Sequence, residues 1–88
     1  MDEIRHVEKK IRKYVIITVS HPFAYLYKKP AHQEYYFFNN IEKATKFLNR
    51  KDAEETIFMY YRFTNDTKLD LVIVPIDITY ELIEEKGL

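Results

Sequence analysis

The run YVIITVS, residues 14 to 20, is β-branched or aromatic at nearly every position. Alternate side chains of a strand point to opposite faces, so Val15, Ile17 and Val19 oppose Tyr14, Ile16 and Thr18, and both faces ask for cover. The run predicts a buried, central strand. His21-Pro22 ends it, because proline has no N–H for a ladder and biases its predecessor toward extended geometry. FAYLY, residues 23 to 27, predicts a second strand. After the polar loop KKPAHQE, YYFF at residues 35 to 38 predicts a third, and three short strands in succession imply a meander.

Four aromatic residues in a row leave that third strand without a polar face. Tyr35 and Phe37 are expected to turn inward and Tyr36 and Phe38 outward, because Phe38 adjoins the Asn39-Asn40 turn. Ile41, Ala44 and Leu48 have helical spacing, but their phase does not continue into Ala53, Ile57, Tyr60 and Tyr61, so the chain breaks near Asn49. Residues 41–48 are open to reading as helix or short strand. Asn49 is a good N-cap, and Asp52 sits in the first turn where the helix dipole favours a carboxylate. The main helix is therefore placed at about 50–63. On a helical wheel Ala53, Thr56, Ile57, Tyr60 and Tyr61 form its packing face, flanked by Met59 and Phe63, while Phe58 falls among Lys51, Glu54, Glu55 and Arg62 on the solvent side.

LDLVIVPIDITYEL, residues 69 to 82, is the strongest strand. Its even positions from Val72 to Leu82 are apolar throughout; its odd positions are apolar only at Leu69, Leu71 and Ile73, then polar at Asp77, Thr79 and Glu81. This predicts a strand buried on both sides early and on one side later, with Pro75 at a bulge or near an edge. At the other end of the chain, Ile4, Val7 and Ile11 have helical spacing with Asp2 as cap, and residues 1–10 read as a flexible or docked N-terminal arm. The order is β-β-β-α-β: an α+β fold in which a small, mostly antiparallel sheet carries one helix on one face, in a single domain over residues 1–88.

Composition narrows the chemistry. A chain of 88 residues that is 47% hydrophobic and 32% charged belongs with globular domains. It is too small to enclose a deep active site, since a domain of this size buries only about 60 to 65 per cent of the surface of its unfolded chain. Without cysteine there is no disulfide, thiol nucleophile or zinc knuckle. No apolar run approaches the roughly 20 residues of a membrane helix, and MDEIRHVEKK is too polar for a secretory signal, so no membrane association and a cytoplasmic location are expected. The net charge is zero, yet residues 1–51 hold 11 Lys/Arg against 5 Asp/Glu and residues 52–88 hold 3 against 9. Such polarity folds either into a basic and an acidic face, which favours head-to-tail self-association or an oppositely charged partner, or into a surface that mixes both halves.

Catalytic and metal signatures are missing. His6, His21 and His32 lack the close spacing of zinc motifs, and Asp66, Asp70 and Asp77 do not form a calcium loop; they are expected to cap a turn and face water. Ser20 and His21 are adjacent and would point to opposite faces of a strand, unlike a nucleophile elbow. Gly87 is the only glycine, which removes glycine-rich phosphate loops. We expect no enzyme activity, no metal and no cofactor.

The chain holds 8 tyrosines, a residue that interfaces favour because it offers a large apolar area, a polar tip and few rotamers to freeze. Most are expected to serve as core and strand formers and a few as contacts with a protein partner. The candidate partner-binding residues are Tyr36, Phe38, Tyr25, Tyr27, Phe58, Lys28 and Lys29. An alternative is single-stranded nucleic acid, with Lys9, Lys10, Arg12 and Lys13 flanking Lys28 and Lys29 across a sheet of stacking tyrosines; neutral net charge and the lack of a basic-glycine-aromatic strand weigh against it. A third expectation is a homodimer in which another copy covers the second sheet face.

The opening KYVIITV, the central KATKFLNRKDAEE, in which an A-x-x-F element precedes a capped helix, and the closing LVIVPIDITYEL together resemble the short uncharacterised proteins encoded by phages and prophages of low-GC Gram-positive bacteria. The resemblance covers most of the chain. It implies a protein that binds a host protein and blocks or redirects it, some such proteins inhibiting defence systems, and it carries no site residues with it.

Overall fold

The alternating runs assemble into four antiparallel strands with one helix laid on one face. A computed structural model describes residues 3–19, 23–66 and 68–85. The elements are β1 (Glu3–Thr18), β2 (Tyr25–Lys28), β3 (Tyr35–Phe38), a 3-10 turn at Ile41–Lys43, α1 (Arg50–Thr64) and β4 (Leu71–Glu85). The strand order is β3-β2-β1-β4, so the expected meander is completed by a fourth strand that returns beside the first, with the helix in the long connection. The expected break at His21-Pro22, the Ser20-His21 pair, the Asp2 cap and Gly87 lie outside the described residues.

Helix α1 begins where the caps dictate. The Asn49 side chain accepts from the Asp52 N–H at 2.9 Å, and Asn65 ends the helix in the left-handed region at φ 56°, its N–H returned to the Tyr61 carbonyl. Ala53, Thr56 and Tyr60 are buried, and Ile57 and Tyr61 pack beside them. They meet Ile16 of β1 and Leu26 of β2, both fully buried, together with Tyr35, Phe37, Leu71 and Ile73. Tyr60 is the hub: its ring stands edge-on to Tyr35, Phe37 and Tyr61 at centroid distances of 5.3, 5.7 and 5.6 Å. Tyr35 and Phe37 are thus the inward pair, as their parity and the turn after Phe38 led us to expect.

The Tyr60 hydroxyl donates to Asp66 Oδ2 at 2.8 Å, and Asp66 Oδ1 accepts from the Lys68 and Leu69 N–H groups. The turn from helix to last strand is therefore tied to the core. These bonds, that from Tyr60 foremost, hold the Asp66 carboxyl below its ordinary value. Burial, followed by the bond to Asp66, pushes the Tyr60 phenol up to about 12. A depressed carboxyl contributes stability above its unfolded value of about 3.9, lost as pH falls through the folded one. A raised phenol contributes below its unfolded value of about 10, lost as pH rises through the folded one. Thermal melts are expected to fall at both ends, below about pH 4 and between about pH 10 and 12, and Tyr60→Phe should flatten the alkaline fall. Tyr35, also raised by burial, leaves a residue of it.

One expectation is corrected by β1. The N-terminal segment is not a helical arm: from Glu3 it is strand, paired with β4 from Glu3↔Glu85 to Thr18↔Leu71. The register shifts between Val7 and Lys9, where a bulge adds one residue and changes the parity of the positions after it. Positions 4 and 11 consequently share a phase, opposite Glu84 and Ile78. An interval of seven that looks helical is thereby accommodated in a strand. The contact of β2 with β1 is narrow, at Ile17↔Tyr25 alone. Beyond that point residues 45–47 wedge between them: Thr45 N–H donates to the Leu26 carbonyl at 3.1 Å, and Phe47 exchanges both backbone bonds with Tyr14 at 2.9 and 2.8 Å.

That exchange explains Pro75. Tyr14 turns both its backbone groups toward Phe47, so it meets Pro75 across a pair without hydrogen bonds. β4 is one of the sheet's two edge strands, and the proline there costs the ladder nothing. From residue 13 back to 3, β1 pairs with β4 alone, forming a two-stranded arm about 35 Å long at roughly 3.3 Å per residue. The molecule is elongated as a result, 58 × 25 × 20 Å with a radius of gyration of 17.1 Å, against about 12 Å for a compact chain of this length.

Candidate interaction surface

Strand parity sorts the candidate residues. Leu26 of β2 and Tyr35 and Phe37 of β3 face the helix; Tyr25, Tyr27, Tyr36 and Phe38 therefore face away from it. The register sets Tyr25 opposite Phe38 and Tyr27 opposite Tyr36, and the rings gather. Tyr27 lies 6.3 Å from Tyr36 and 6.1 Å from Phe38, Tyr36 stacks on Phe38 at 6.4 Å, and Phe23 stands edge-on to Tyr25 at 5.1 Å. Tyr36 is 45% exposed and the other three are half-buried. The Lys43 ammonium sits 5.0 Å above the Phe38 ring, a cation–π contact, and Glu42, Lys43 and Ala44 line a groove of 340 Å³ with Tyr27 and Phe38. The 3-10 turn thus borders this face. Asn40 caps that turn by accepting from the Glu42 N–H, and Lys46 holds its far end by donating to the Ile41, Glu42 and Ala44 carbonyls.

The face continues across the sheet. Ile17 lies opposite Tyr25 and Val72; Val15, opposite Val74, is on the same side but fully buried. Farther along the arm the same phase carries Ile76, Ile78 and Tyr80 on β4, paired with Lys13, Ile11 and Lys9. The long apolar run of even positions in β4 is therefore not the helix-covered side. Leu71 and Ile73 take the helix, while Val72, Tyr80 and Leu82 are 37, 54 and 53% exposed.

Three candidates fall elsewhere. Lys28 follows Tyr27 and so takes the helix side, where it lines a groove with Phe47, Asp52 and Met59; its N–H donates to Thr45 Oγ1 at 2.8 Å. Phe58 is 64% exposed on the outer side of the helix, beside Glu54, Glu55 and Met59. Lys29 is at the rim rather than on the face: its ammonium is 3.6 Å from Glu34, and the other Glu34 oxygen accepts from the Tyr36 hydroxyl at 3.2 Å. Sequence reasoning missed Lys43 and Phe23. The signal for Lys43 was only its place five residues past Phe38, across a turn whose direction no propensity fixes.

On the polar side of the arm, Arg12 makes a two-point ion pair with Asp77 at 2.9 and 3.1 Å. Asp77 therefore has a partner besides water, and the pair, hydrogen bond first, lowers its carboxyl and raises the guanidinium. Among the described residues no three His, Asp or Glu side chains gather in a metal-holding group, and no helix is long and apolar enough to cross a membrane. Compared with family models, curated proteins and solved structures, the chain matches none.

Proposed function

We propose that this chain is a non-enzymatic protein-binding module, an inhibitor or regulator of the phage type that acts by occupying a host protein. The observation that carries this reading is the convergence of Tyr25, Tyr27, Tyr36 and Phe38 on the sheet face opposite the helix, continuous with exposed aliphatic positions of β4. Monomeric proteins seldom expose so broad an apolar patch unless something docks on it, and aromatic residues in a partly packed cluster are typical anchors. The single-stranded nucleic-acid reading is weaker, because Lys28 sits on the other face from the tyrosines and Arg12 is committed to Asp77.

The test is capture from a Gram-positive lysate on immobilised protein, with two variants of checked fold. A partner retained by the native chain and by Phe58→Ala, but lost with Tyr36→Ala/Phe38→Ala, supports the proposal. A partner retained equally by all three, or none above a scrambled-surface control, overturns it. Salt-sensitive binding of random oligonucleotides that charge reversal at Lys28 and Lys29 weakens would favour the alternative.

A further inference from the structure

We infer that the first occupant of this face is a second copy of the chain, in a two-fold pair where each arm lies across the aromatic patch of its partner's body. The inference rests on the reading of this face as a protein-binding surface and names who binds there. Its starting point is the arm. A two-stranded ribbon without further strands or a helix to pack on is marginal in water, yet here residues 3–13 and 76–85 form one. From Lys9 outward to Leu82 its two sides differ sharply. One presents Lys10, Arg12, Asp77 and Thr79, polar groups that water and the Arg12–Asp77 pair satisfy. The other presents Ile11, Ile76, Ile78 and Tyr80 between Lys9 and Lys13, and the chain's own helix and 3-10 turn lie on the body, not over it.

The apolar side of the arm and the aromatic patch share one sheet face. A two-fold axis lying between two such faces and crossing the strands obliquely, so that β1 and β4 of one arm pass over β2 and β3 of the other copy, sets arm on body and body on arm at the same time. The contact is self-complementary, as a closed dimer requires. Charge favours this arrangement over arm on arm. Arm on arm would bring Lys9 and Lys13 of both copies together with no acidic group on that side, whereas arm on body offers them the Tyr27 and Tyr36 rings and a rim where Glu34 and Glu42 balance Lys29 and Lys43. With strands about 4.8 Å apart and about 3.3 Å per residue, arm and body patch each cover roughly 250 Å² of plane. Two copies would then bury roughly 1,000 Å² before side-chain relief is counted, the threshold of a specific interface. Pairing through the outer edge of β4 is disfavoured, since Pro75 interrupts its row of donors.

Analytical ultracentrifugation of the full chain over a wide concentration range tests this. The native protein is expected to sediment as a dimer. Tyr36→Asp on the body and Tyr80→Asp on the arm, both at exposed positions where the monomer fold should survive, are each expected to raise the dissociation constant roughly thirtyfold, the effect of losing an anchoring aromatic. Phe58→Asp, off the face, should leave it unchanged. An equimolar mixture of the Tyr36 and Tyr80 variants should recover dimer, because one of its two arm-on-body contacts is native in both halves; arm-on-arm packing would leave no native contact and no recovery. A native chain that stays monomeric at high concentration overturns the inference while the capture experiment still decides the wider reading. Dimers that Phe58→Asp dissociates, or a mixture that stays monomeric when each variant alone does, overturn the exchanged-arm arrangement.

Discussion

Tyr60→Ala is expected to unfold the protein or leave it barely folded at room temperature. Truncating a buried aromatic costs about 3 to 5 kcal/mol, lost transfer energy plus the cavity left behind, and a small domain has only about 5 to 10 kcal/mol in total. Tyr60 stands at the upper end of that range for a structural reason. It is 4% exposed, and its ring touches both inward aromatics of β3 and Tyr61 of its own helix. Removing it separates α1 from the sheet at the point where β3 has its cover. The Asp66 carboxylate also loses a donor, so the turn into β4 loosens together with the core. Chemical denaturation followed by far-ultraviolet circular dichroism checks this. Tyr60→Phe keeps the ring contacts and gives up only the bond to Asp66, so at neutral pH its midpoint should fall between those of Tyr60→Ala and the native chain, nearer the native; equal losses from both substitutions would place the effect in the hydroxyl rather than in packing.

What was legible in the chain is what depends on neighbours in sequence. Asn49 and Asp52 mark the start of the helix because a cap is a local hydrogen bond, and Tyr35 and Phe37 separate from Tyr36 and Phe38 because parity is a local property of a strand. The helix face from Ala53 to Tyr61 comes from the same periodicity. Most of the failures are relations between distant segments. The bulge after Val7 exists only with β4 alongside, and without it positions 4 and 11 look like one face of a helix. β4 offered more apolar residues on its even face, yet the helix took the odd one, since a helix over the body needs only Leu71 and Ile73 beneath it. Lys28 joined the candidate site as half of a basic pair with Lys29, and the parity of β2 puts it on the face opposite Tyr27.

The other large effect is expected from Phe47→Pro, which should detach β2 and β3 from β1. β1 and β2 pair at only one position, Ile17↔Tyr25, so coherence of the sheet depends on the wedge that fills the gap beyond it. Phe47 supplies that wedge twice. Its N–H donates to the Tyr14 carbonyl at 2.8 Å and its carbonyl accepts from the Tyr14 N–H at 2.9 Å, while its ring packs against the core. Proline removes the donor and the ring contact together. A proline that deletes a needed backbone bond costs about 3 kcal/mol or more in a regular element, and the loss of a partly buried aromatic adds to it. Hydrogen exchange should then show protection falling first at Lys28 and Thr45, whose N–H bonds cross the seam, while amides at the body end of the β1–β4 ladder, from Val15↔Val74 to Thr18↔Leu71, remain the slowest. Phe47→Ala keeps both backbone bonds and should lower stability without that uneven pattern. Uniform loss of protection across both pairs of strands in Phe47→Pro would mean that the sheet opens as one unit and that the wedge is not its seam.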